Sequence, residues 1–399
     1  MTDDDIPTQT DILVIGGGVM GTSTAYFLAT MTDRSVTLLE KSQLASGSTG
    51  DSSAILRHHY GDEDIYTEMA WWSHQFFRAF DEKLDAALSY EESPLVRFAD
   101  EGTTGGDYAR AGYEALRERD IPVSAYTGEE ITEQYPMFDV DERYDLAVSD
   151  DSAAYSDGTD AALGFARGAR DAGAGIVTGV EVQILEAESG KITGAQTDQG
   201  TIACETAIVA AGPWTPRLAE TVGVDVPITP VREQIVLLDP PADYAEAFPS
   251  LTPTTSFPGG EWYIRPDFGD GILVATHRHT EETDPDAYDN TPDEETILEL
   301  VDEFANHVPE LRDAGLKGQY CGVYSTTPDH DFIIDQAGPE GCYLCCGFSG
   351  HGFKHGPAVG KLTADLVLEG GSDMVDLEYF SLERFADDPD GHGLPMDNI

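Results

Sequence analysis

Two cations in this chain stand where they could hold an anionic ligand. Arg57 follows a loop of small polar residues at positions 46–53, and its guanidinium fork suits a carboxylate. Lys354 is one of only six lysines and lies in the glycine-rich segment 347–356. A positive charge there could hold a substrate carboxylate or polarise the electron-accepting end of a cofactor. The alternative for both residues is an ion pair, which an acid-rich chain supplies easily.

A strand, a glycine loop and a helix near the start of the chain could bind a dinucleotide. An apolar run ends at Ile15, glycines follow in the pattern G-x-G-x-x-G, and a helical pattern and a second strand ending in Glu40 come next. The pyrophosphate would lie on the helix N-terminus, and Glu40 stands where a ribose-binding acid is expected. This pattern does not distinguish FAD from NAD. The residues that would contact the dinucleotide are Gly16, Gly18, Val19, Met20, Gly21, Glu40 and Lys41.

Three later segments could reach the same cofactor. The loop after Glu40 offers Ser48, Thr49 and Gly50, whose hydroxyls and amides are donors. A strand at 206–210 ends in small residues that allow close approach to a ligand, and another at 342–346 runs into the loop that carries Lys354. The alternative is a set of buried strands followed by plain glycine turns. The further candidates for cofactor contact are Val180, Ala211, Gly212, Trp214, Gly347, Gly350, His351, Gly352, Phe353 and Lys354.

The charge of the chain excludes some partners. Asp and Glu number 75 against 22 Lys and Arg, which gives a formal net charge of -53. Such a surface repels nucleic acid and anionic lipid, and its self-repulsion should weaken the fold unless salt screens it. The composition is typical of proteins from salt-accumulating archaea, and an acidic mesophilic protein is the alternative. No basic leader and no apolar run of membrane-span length occurs, so we predict a cytoplasmic protein.

Cysteine spacing gives little support for a metal. The chain has five cysteines, an odd number without a disulfide framework. Cys342, Cys345 and Cys346 could suggest a metal site, but the segment has the pattern of a strand and no second Cys or His pair stands at zinc spacing. We therefore predict no metal centre.

The hydrophobic periodicity predicts an α/β protein of two interleaved domains. Segments 1–90, 151–226 and 319–399 carry the strand and helix rhythm of a Rossmann-like cofactor domain. Segments 91–150 and 227–318 lack this strand and helix rhythm and show the period-2 pattern of a largely antiparallel sheet. They therefore predict an α+β substrate-binding domain. The acidic run 281–295 is predicted to be a solvated loop and the start of a helix.

The motifs together resemble the FAD-dependent D-amino-acid-oxidase superfamily. The resemblance rests on the G-x-G-x-x-G segment with Glu40, the loop leading to Arg57, the Ala-Ala-Gly-Pro-Trp segment at 210–214, Thr327-Pro-Asp and the Gly-Phe-Ser-Gly-His-Gly-Phe-Lys block at 347–354. It spans almost the whole chain, and the last block is the most specific. The most similar branch contains monomeric sarcosine oxidase and the N-methyl-amino-acid oxidases.

The resemblance implies a cofactor, a reaction and a set of site residues. The cofactor would be FAD, and the reaction would be oxidation of a C–N bond in a small amino acid. By the same resemblance, Arg57 and Lys354 would bind the substrate carboxylate, while Tyr263, His277 and Tyr324 would line the pocket. This division is physically reasonable, because two cations suit one carboxylate and aromatic walls suit an apolar N-methyl group.

The sequence departs from that branch at several positions. The residue that links the flavin covalently in sarcosine oxidase is a cysteine and would fall on Gly322, with Cys321 one residue away, so we expect FAD to be bound non-covalently. Ser48 and Thr49 stand where that enzyme has histidines. The lysine credited there with activating oxygen corresponds to Leu273, so the electron acceptor could be oxygen, an electron-transfer protein or a quinone.

The sequence thus predicts an FAD-dependent oxidoreductase acting on a sarcosine-like or dimethylglycine-like substrate. D-amino acids, imino acids or 2-hydroxy acids are alternatives within the superfamily. A flavin-binding assembly protein without turnover is the alternative from another class, and the retained cations argue against it. An NAD-dependent dehydrogenase would leave the later glycine segments without a role.

Overall fold

The computed structural model describes residues 6–140, 143–241, 254–256 and 262–387. Its strands are β1 Ile12–Ile15, β2 Val36–Glu40, β3 Ile55–Leu56, β4 Tyr90–Glu92, β5 Leu95–Ala99, β6 Val123–Thr127, β7 Leu146–Asp150, β8 Ala154–Ser156, β9 Gly175–Thr178, β10 Val182–Glu188, β11 Lys191–Thr197, β12 Gly200–Ala203, β13 Thr206–Val209, β14 Thr229–Asp239, β15 Thr254–Ser256, β16 Trp262–Asp267, β17 Gly271–Thr276, β18 Gly315–Thr326, β19 Ile333–Gln336 and β20 Cys342–Cys346.

The α-helices lie between these strands and cover both sheets. They are Val19–Met31, Asp64–Arg78, Phe80–Leu84, Thr104–Glu118, Glu129–Gln134, Gly158–Asp171, Thr215–Glu220, Glu294–His307, Gly356–Glu369 and Arg384–Asp387. Single 3-10 turns occupy Gly212–Trp214, Pro309–Leu311, Phe353–His355 and Leu377–Phe380. In the part of the chain that the structure describes, no helix has the length and apolar character needed to span a bilayer.

A six-stranded sheet carries the glycine loop. Its order is β19-β20-β13-β1-β2-β9, and every pair is parallel except β19 with β20. Because β1, β2, β13 and β20 point the same way, the segments that follow them meet at one edge of the sheet. The glycine loop, Glu40 and the loop that carries Lys354 therefore converge there, as the predicted Rossmann-like fold requires.

Both faces of this sheet are covered, as a parallel sheet needs. On one face the helix Val19–Met31 packs against Gly356–Glu369, and a Cβ added at Gly360 would come within 2.5 Å of the Ser23 hydroxyl oxygen. On the other face lies the three-stranded antiparallel sheet β10-β11-β12. Ile192, Ala195 and Ile202 of that small sheet join its core.

An eight-stranded, largely antiparallel sheet forms the second layer of the molecule. Its order is β18-β14-β17-β16-β15-β5-β7-β6, with β15 and β5 the parallel pair. Side chains alternate between its faces. Val236, Ile264 and Val274 pack under the helix Glu294–His307, while Ile235 and Tyr263 point to the opposite face, toward the six-stranded sheet's glycine loops.

The predicted boundaries between two domains stay a prediction. β5 to β7 lie within the predicted segment 91–150, and β14, β16 and β17 lie within 227–318. However, β18 crosses the boundary at 318/319 and pairs with β14 along the whole of Thr229–Asp239. A third small sheet, β3-β8-β4, joins the loop that carries Arg57 to the two segments around it.

The acidic run 281–295 is mostly exposed, as predicted, but some of its carboxylates also bind side chains of the fold. The buried guanidinium of Arg232 on β14 donates to Glu281 at 2.7 Å and to Asp293 at 3.0 Å. Asp286 accepts a hydrogen bond from the Trp214 indole at 2.7 Å. Charge pattern alone indicates solvation, but a buried arginine and an indole donor tie these carboxylates into the fold. The predicted helix does begin there, at Glu294.

Candidate active site

A cavity of about 740 Å³ lies where the glycine loops of the six-stranded sheet face the eight-stranded sheet. Its size is within the range of ligand sites. The predicted cofactor residues that line it are Gly16, Gly18, Val19, Met20, Glu40, Lys41, Ser48, Thr49, Val180, Ala211, Gly212, Trp214, Gly350, Gly352 and Phe353. The sequence motifs thus meet around one space.

The glycine loop needs its glycines for close approach. Gly16 has a φ of +115°, and an added Cβ would lie 2.3 Å from the carbonyl oxygen of Ala210 after β13. A Cβ at Gly21 would lie 2.0 Å from the carbonyl oxygen of Gly16, so Gly21 lets the helix approach the loop. Gly21 does not itself line the cavity; its place is in the packing of the loop.

Gly50 and Gly347 were also predicted to contact the cofactor, and they too lie behind the cavity wall. A Cβ at Gly50 would come within 2.4 Å of the Ala45 carbonyl oxygen, and one at Gly347 within 2.6 Å of the Thr327 side chain. Both glycines allow tight turns in loops whose neighbouring residues reach the cavity.

One end of the cavity has the donors and acceptors that a nucleotide needs. The Glu40 carboxylate accepts hydrogen bonds from the backbone N–H of Gly17 and of Ser42, each at 2.7 Å, which fix its position at the edge of the cavity. The Thr49 hydroxyl accepts from the Val19 N–H at 3.0 Å, at the start of the helix. A helix N-terminus with a fixed acid beside it suits a pyrophosphate and a ribose.

A cluster of side chains borders this nucleotide end. The Lys41 ammonium lies 3.5 Å from the centre of the Trp214 ring, and the Trp214 indole donates to Asp286. Arg217 also binds Asp286; burial would raise the pKa of Asp286, but the hydrogen bonds from Arg217, Trp214 and Lys41 outweigh it and lower this pKa to about 2. Asp286 and Tyr288 line the cavity, although the sequence analysis placed them in a solvated loop. No local pattern marks them, because their partners lie far away in the chain.

A second, smaller cavity of about 70 Å³ opens from the first. All five residues predicted to bind substrate line it: Arg57, Tyr263, His277, Tyr324 and Lys354. The residues shared by both cavities are Ser52, Ser53, Tyr263, Tyr324, Ser349, Gly350 and Phe353. A molecule in the small cavity would therefore be next to a cofactor in the large one.

Arg57 is buried, with 5 % of its surface exposed, and is held from two sides. Its guanidinium donates to the carbonyl oxygen of His59 and lies 4.1 Å from the centre of the Tyr60 ring. The Tyr60 hydroxyl is in turn within 2.8 Å of the His355 imidazole. This support fixes the guanidinium on the cavity wall, which excludes the alternative of a surface ion pair.

Lys354 is also buried, and its ammonium donates to the carbonyl oxygen of His351 at 3.1 Å. Burial and the neighbouring Arg57 charge lower its pKa well below the usual value. A ligand carboxylate would reverse this effect, because an opposite charge stabilises the protonated amine. The lysine is therefore placed to be satisfied by an anion. His351, predicted as a cofactor residue, lines the small cavity and not the large one.

The imidazoles of the small cavity are neutral at pH 7. Burial and the charges of Arg97 and Arg57 lower the pKa of His277 to about 4, and burial with the nearby His330 lowers that of His279 to about 3. The Tyr263 ring lies 5.8 Å from that of His277. Positive charge at this site therefore comes from the arginines, and from Lys354 when an anion stabilises its protonated form.

Arg97 and His279 line the small cavity and were missed by the sequence analysis. Arg97 lies within the otherwise apolar strand β5; the sequence shows this arginine, but it does not show that the arginine is buried at the cavity. His279 lies two residues after His277 and adopts a φ of +54°, a strained conformation for a non-glycine residue. This turn places His279 at the small cavity, and no sequence pattern predicts the turn.

Two positions on the eight-stranded sheet matter for the flavin chemistry. Gly322 lines the large cavity, whereas Cys321 precedes it on β18, is fully buried and has its thiol pKa raised to about 11 by burial. Alternation along the strand points the Cys321 side chain to the other face. Leu273 is buried in an apolar cluster with Ile235 and Tyr263, both of which line the large cavity.

Comparison with known proteins agrees with this geometry. The sequence profile of the family described as "DAO: FAD dependent oxidoreductase" matches residues 11–366. The chain is 28% identical over 393 residues to monomeric sarcosine oxidase from Bacillus sp. (strain B-0618), covering 95% of this chain and 97% of that one. It is 26% identical over 388 residues to N-methyl-L-tryptophan oxidase from Yersinia pestis (strain Pestoides F), covering 94% and 99%.

A solved structure with the same fold is that of L-proline dehydrogenase from P. horikoshii. It is 25% identical and superposes with a TM-score of 0.85, covering 96% of this chain and 99% of that chain. The family match covers most of the chain, and the large cavity fits a dinucleotide by its volume, its glycine cradle and its fixed acid. The chain is therefore an enzyme of the DAO family of FAD-dependent oxidoreductases.

Proposed function

We propose that this enzyme oxidises the C–N bond of a small amino acid, an N-methylated one such as sarcosine or dimethylglycine. The observation that carries the proposal is the pair of buried cations, Arg57 and Lys354, in a small cavity that opens onto the FAD-sized one. Two cations suit one carboxylate. The similarity to the sarcosine and N-methyl-L-tryptophan oxidases favours N-methylated substrates.

The chain's own residues act by binding and orientation. Arg57 and Lys354 hold the carboxylate, and the Tyr263 and Tyr324 rings form walls against which an N-methyl group can pack. This fixes the reacting carbon toward the larger cavity and removes the entropy cost of aligning it. The neutral His277 adds no further charge beside the substrate amine, which must be unprotonated for its lone pair to assist the oxidation.

FAD bound in the large cavity supplies the acceptor for the hydride equivalent that leaves the substrate carbon. It would be held by the glycine loop, Glu40 and the loop carrying Ser48 and Thr49. The oxidised substrate is an imine, and its hydrolysis by water gives formaldehyde and a demethylated amine, or a 2-oxo acid and ammonia. We propose non-covalent attachment, which the burial of Cys321 on the opposite strand face supports.

For the electron acceptor we favour a protein or a quinone over oxygen. Leu273 places an apolar side chain in a buried cluster beside the large cavity, at the position where the resemblance expects an oxygen-activating lysine. The similarity to L-proline dehydrogenase is compatible with this choice, and it also keeps an imino acid as the alternative substrate. Mixing the substrate-reduced enzyme with air tests it, since a slow return of the oxidised flavin spectrum supports a dehydrogenase.

Product analysis tests the proposed reaction. An N-methyl substrate should yield formaldehyde equal to the acceptor reduced, whereas attack at the α-carbon should yield a 2-oxo acid. Replacing Arg57 by methionine should raise KM strongly while FAD stays bound. If no amino or imino acid gave either product, the proposal would be wrong and the alternative of a flavin-binding assembly protein would gain support.

Two broader proposals concern the setting of the enzyme. We propose a cytoplasmic location, and we propose a salt-rich cell because of the net charge of -53. Screening of self-repulsion would then stabilise the fold, because the Debye length falls to about 3 Å at 1 M salt. Thermal unfolding measured from low to molar KCl tests this, and a midpoint that does not rise with salt would contradict it.

A further inference from the structure

Glu233 is a buried carboxylate to which the proposed reaction assigns no role. It lies on β14, is 1 % exposed and lines the large cavity. Burial raises the pKa of its carboxyl, and hydrogen bonds to the carboxylate oppose that effect. A buried carboxylate lowers stability unless it is hydrogen-bonded. The groups that bind Glu233 therefore indicate what it does.

Three donors from the segment 276–279 bind this one carboxylate. The Thr276 hydroxyl donates to Oε2 at 2.6 Å, and the backbone N–H of Arg278 donates to the same oxygen at 3.1 Å. The backbone N–H of His279 donates to Oε1 at 2.7 Å. The backbone pairing of β17 with β14 ends one residue before Thr276. Beyond that point the Glu233 side chain takes over from the β14 backbone and holds the chain that leaves β17.

The turn at 277–279 needs this support because its backbone is strained. His279 has a φ of +54°, in the left-handed region that residues with a Cβ rarely adopt. Such a conformation persists where the surrounding structure holds it in place. Glu233 binds two successive N–H groups of the turn and thus fixes both of its peptide groups.

This turn carries two side chains of the small cavity. His277 and His279 both line it, and burial lowers the pKa of both imidazoles, so they are neutral at pH 7. The His279 ring lies 5.2 Å from that of Tyr324, and the His277 ring lies 5.8 Å from that of Tyr263. A displacement of the turn would therefore change the space that these four rings leave for a substrate.

We propose that Glu233 is a positioning residue for the substrate site: it fixes the turn 277–279 from the cofactor side and so sets where His277 and His279 stand against the substrate. This rests on the proposed function, since it takes the small cavity as the substrate site. Among the described residues that line the two cavities, Glu233 borders the large one alone. It therefore acts on the substrate through the turn.

A positioning role predicts a different kinetic result from a role in binding the carboxylate. Arg57 follows β3 and Lys354 lies in the 3-10 turn Phe353–His355, so other elements of the fold place the two cations. Their hold on a carboxylate should survive the loss of Glu233. The alignment of the reacting carbon should not, because a misplacement of about 1 Å can slow a reaction by about 100-fold.

The test is Glu233→Gln, which keeps the shape of the side chain but replaces one acceptor oxygen by an NH2 group that cannot accept from the turn. Sarcosine, dimethylglycine, proline and D-alanine are mixed anaerobically with the FAD-loaded enzyme, and the limiting rate of flavin reduction is measured with each that reacts. This rate should fall by about 10- to 100-fold in the variant. The dissociation constant of propionate, a carboxylate without an amine, should change little when it is followed by flavin absorption.

Two further variants separate positioning from folding. Asp365→Asn is the matched control: Asp365 is another buried carboxylate, bound by Lys361 and Ser372, and it lies outside the described lining of both cavities. This control should keep the wild-type limiting rate. Glu233→Asp keeps a carboxylate on a shorter side chain and should retain part of the rate. If Glu233→Gln did not bind FAD, Glu233→Asp would decide the matter, since wild-type rate and propionate binding in that variant would overturn the proposal.

The outcomes are distinct. If one of the amino acids reduces the flavin and Glu233→Gln has the wild-type limiting rate, the proposed function stands and the positioning role is wrong. A parallel loss of propionate affinity would also overturn it, because Glu233 would then support the whole site and not the turn alone. If none of the four amino acids reduces the flavin of the wild-type enzyme, the proposed function itself fails and this inference falls with it.

Discussion

Replacing Lys354 by methionine removes one of the two cations assigned to the substrate carboxylate and keeps a side chain of similar length. A hydrogen bond to a charged group contributes about 1.5–3 kcal/mol, so kcat/KM should fall by about 10- to 150-fold. The loss should appear mainly in KM, because the carboxylate is bound alike before and during the reaction. Folding should change by less than about 2 kcal/mol, since only the bond to His351 is lost while an unfavourable buried charge is removed.

The assay is steady-state turnover with an artificial electron acceptor, together with the FAD content of the purified variant. Lys361→Met is the matched control, because Lys361 lies on the next helix and is ion-paired with Asp365. The control should keep wild-type kinetics. A Lys354→Met enzyme with unchanged KM and full FAD content would refute the assignment of the carboxylate site. A loss of FAD without change in KM would instead place Lys354 in the cofactor site.

Three other predictions concern the large cavity. Burial raises the pKa of Asp51 to about 6, so its contribution to stability is present below pH 4 and is lost as pH rises to 6. Asp51→Asn should therefore weaken the pH dependence of the free energy of unfolding, measured by urea titration, relative to wild type. Asp286→Ala should release Trp214 and speed FAD dissociation several-fold, measured by flavin fluorescence, and an unchanged rate would show that this cluster does not retain the nucleotide. Gly350→Ala should reduce both FAD content and thermal stability, because Gly350 has a φ of +77° and an added Cβ would lie 2.4 Å from the Tyr324 ring; a fully loaded, equally stable variant would contradict the packing.

The sequence predicted the features that local patterns encode. The Gly16 loop, the helix Val19–Met31 after it and the Cys342–Cys346 strand follow from glycine spacing and from apolar runs of strand or helix period. Lys354 stood out because lysine is so scarce in this chain. These elements lie where the six-stranded sheet ends, so parallel strand direction alone brings them together.

The missed residues depend on contacts between distant parts of the chain. Arg97 reaches the small cavity only because β5 joins the eight-stranded sheet through β15, a pairing that no local pattern reveals. Asp286 becomes part of the cavity wall because Trp214 lies beside it. In both cases the sequence shows the charged residue but not the distant residues that it contacts. Because so many acids surround Asp286 in the sequence, nothing distinguishes it from the solvated carboxylates.

Anaerobic titration of the FAD-loaded protein in molar salt tests the central claim most directly. Sarcosine, dimethylglycine, proline and D-alanine are added separately, and the visible absorption of the oxidised flavin is followed. We predict that at least one of these amino acids bleaches the flavin fully and that Arg57→Met requires a much higher concentration of it. A protein that binds FAD but is bleached by none of them would contradict the account, because the cavity would then hold a cofactor and no amino-acid substrate.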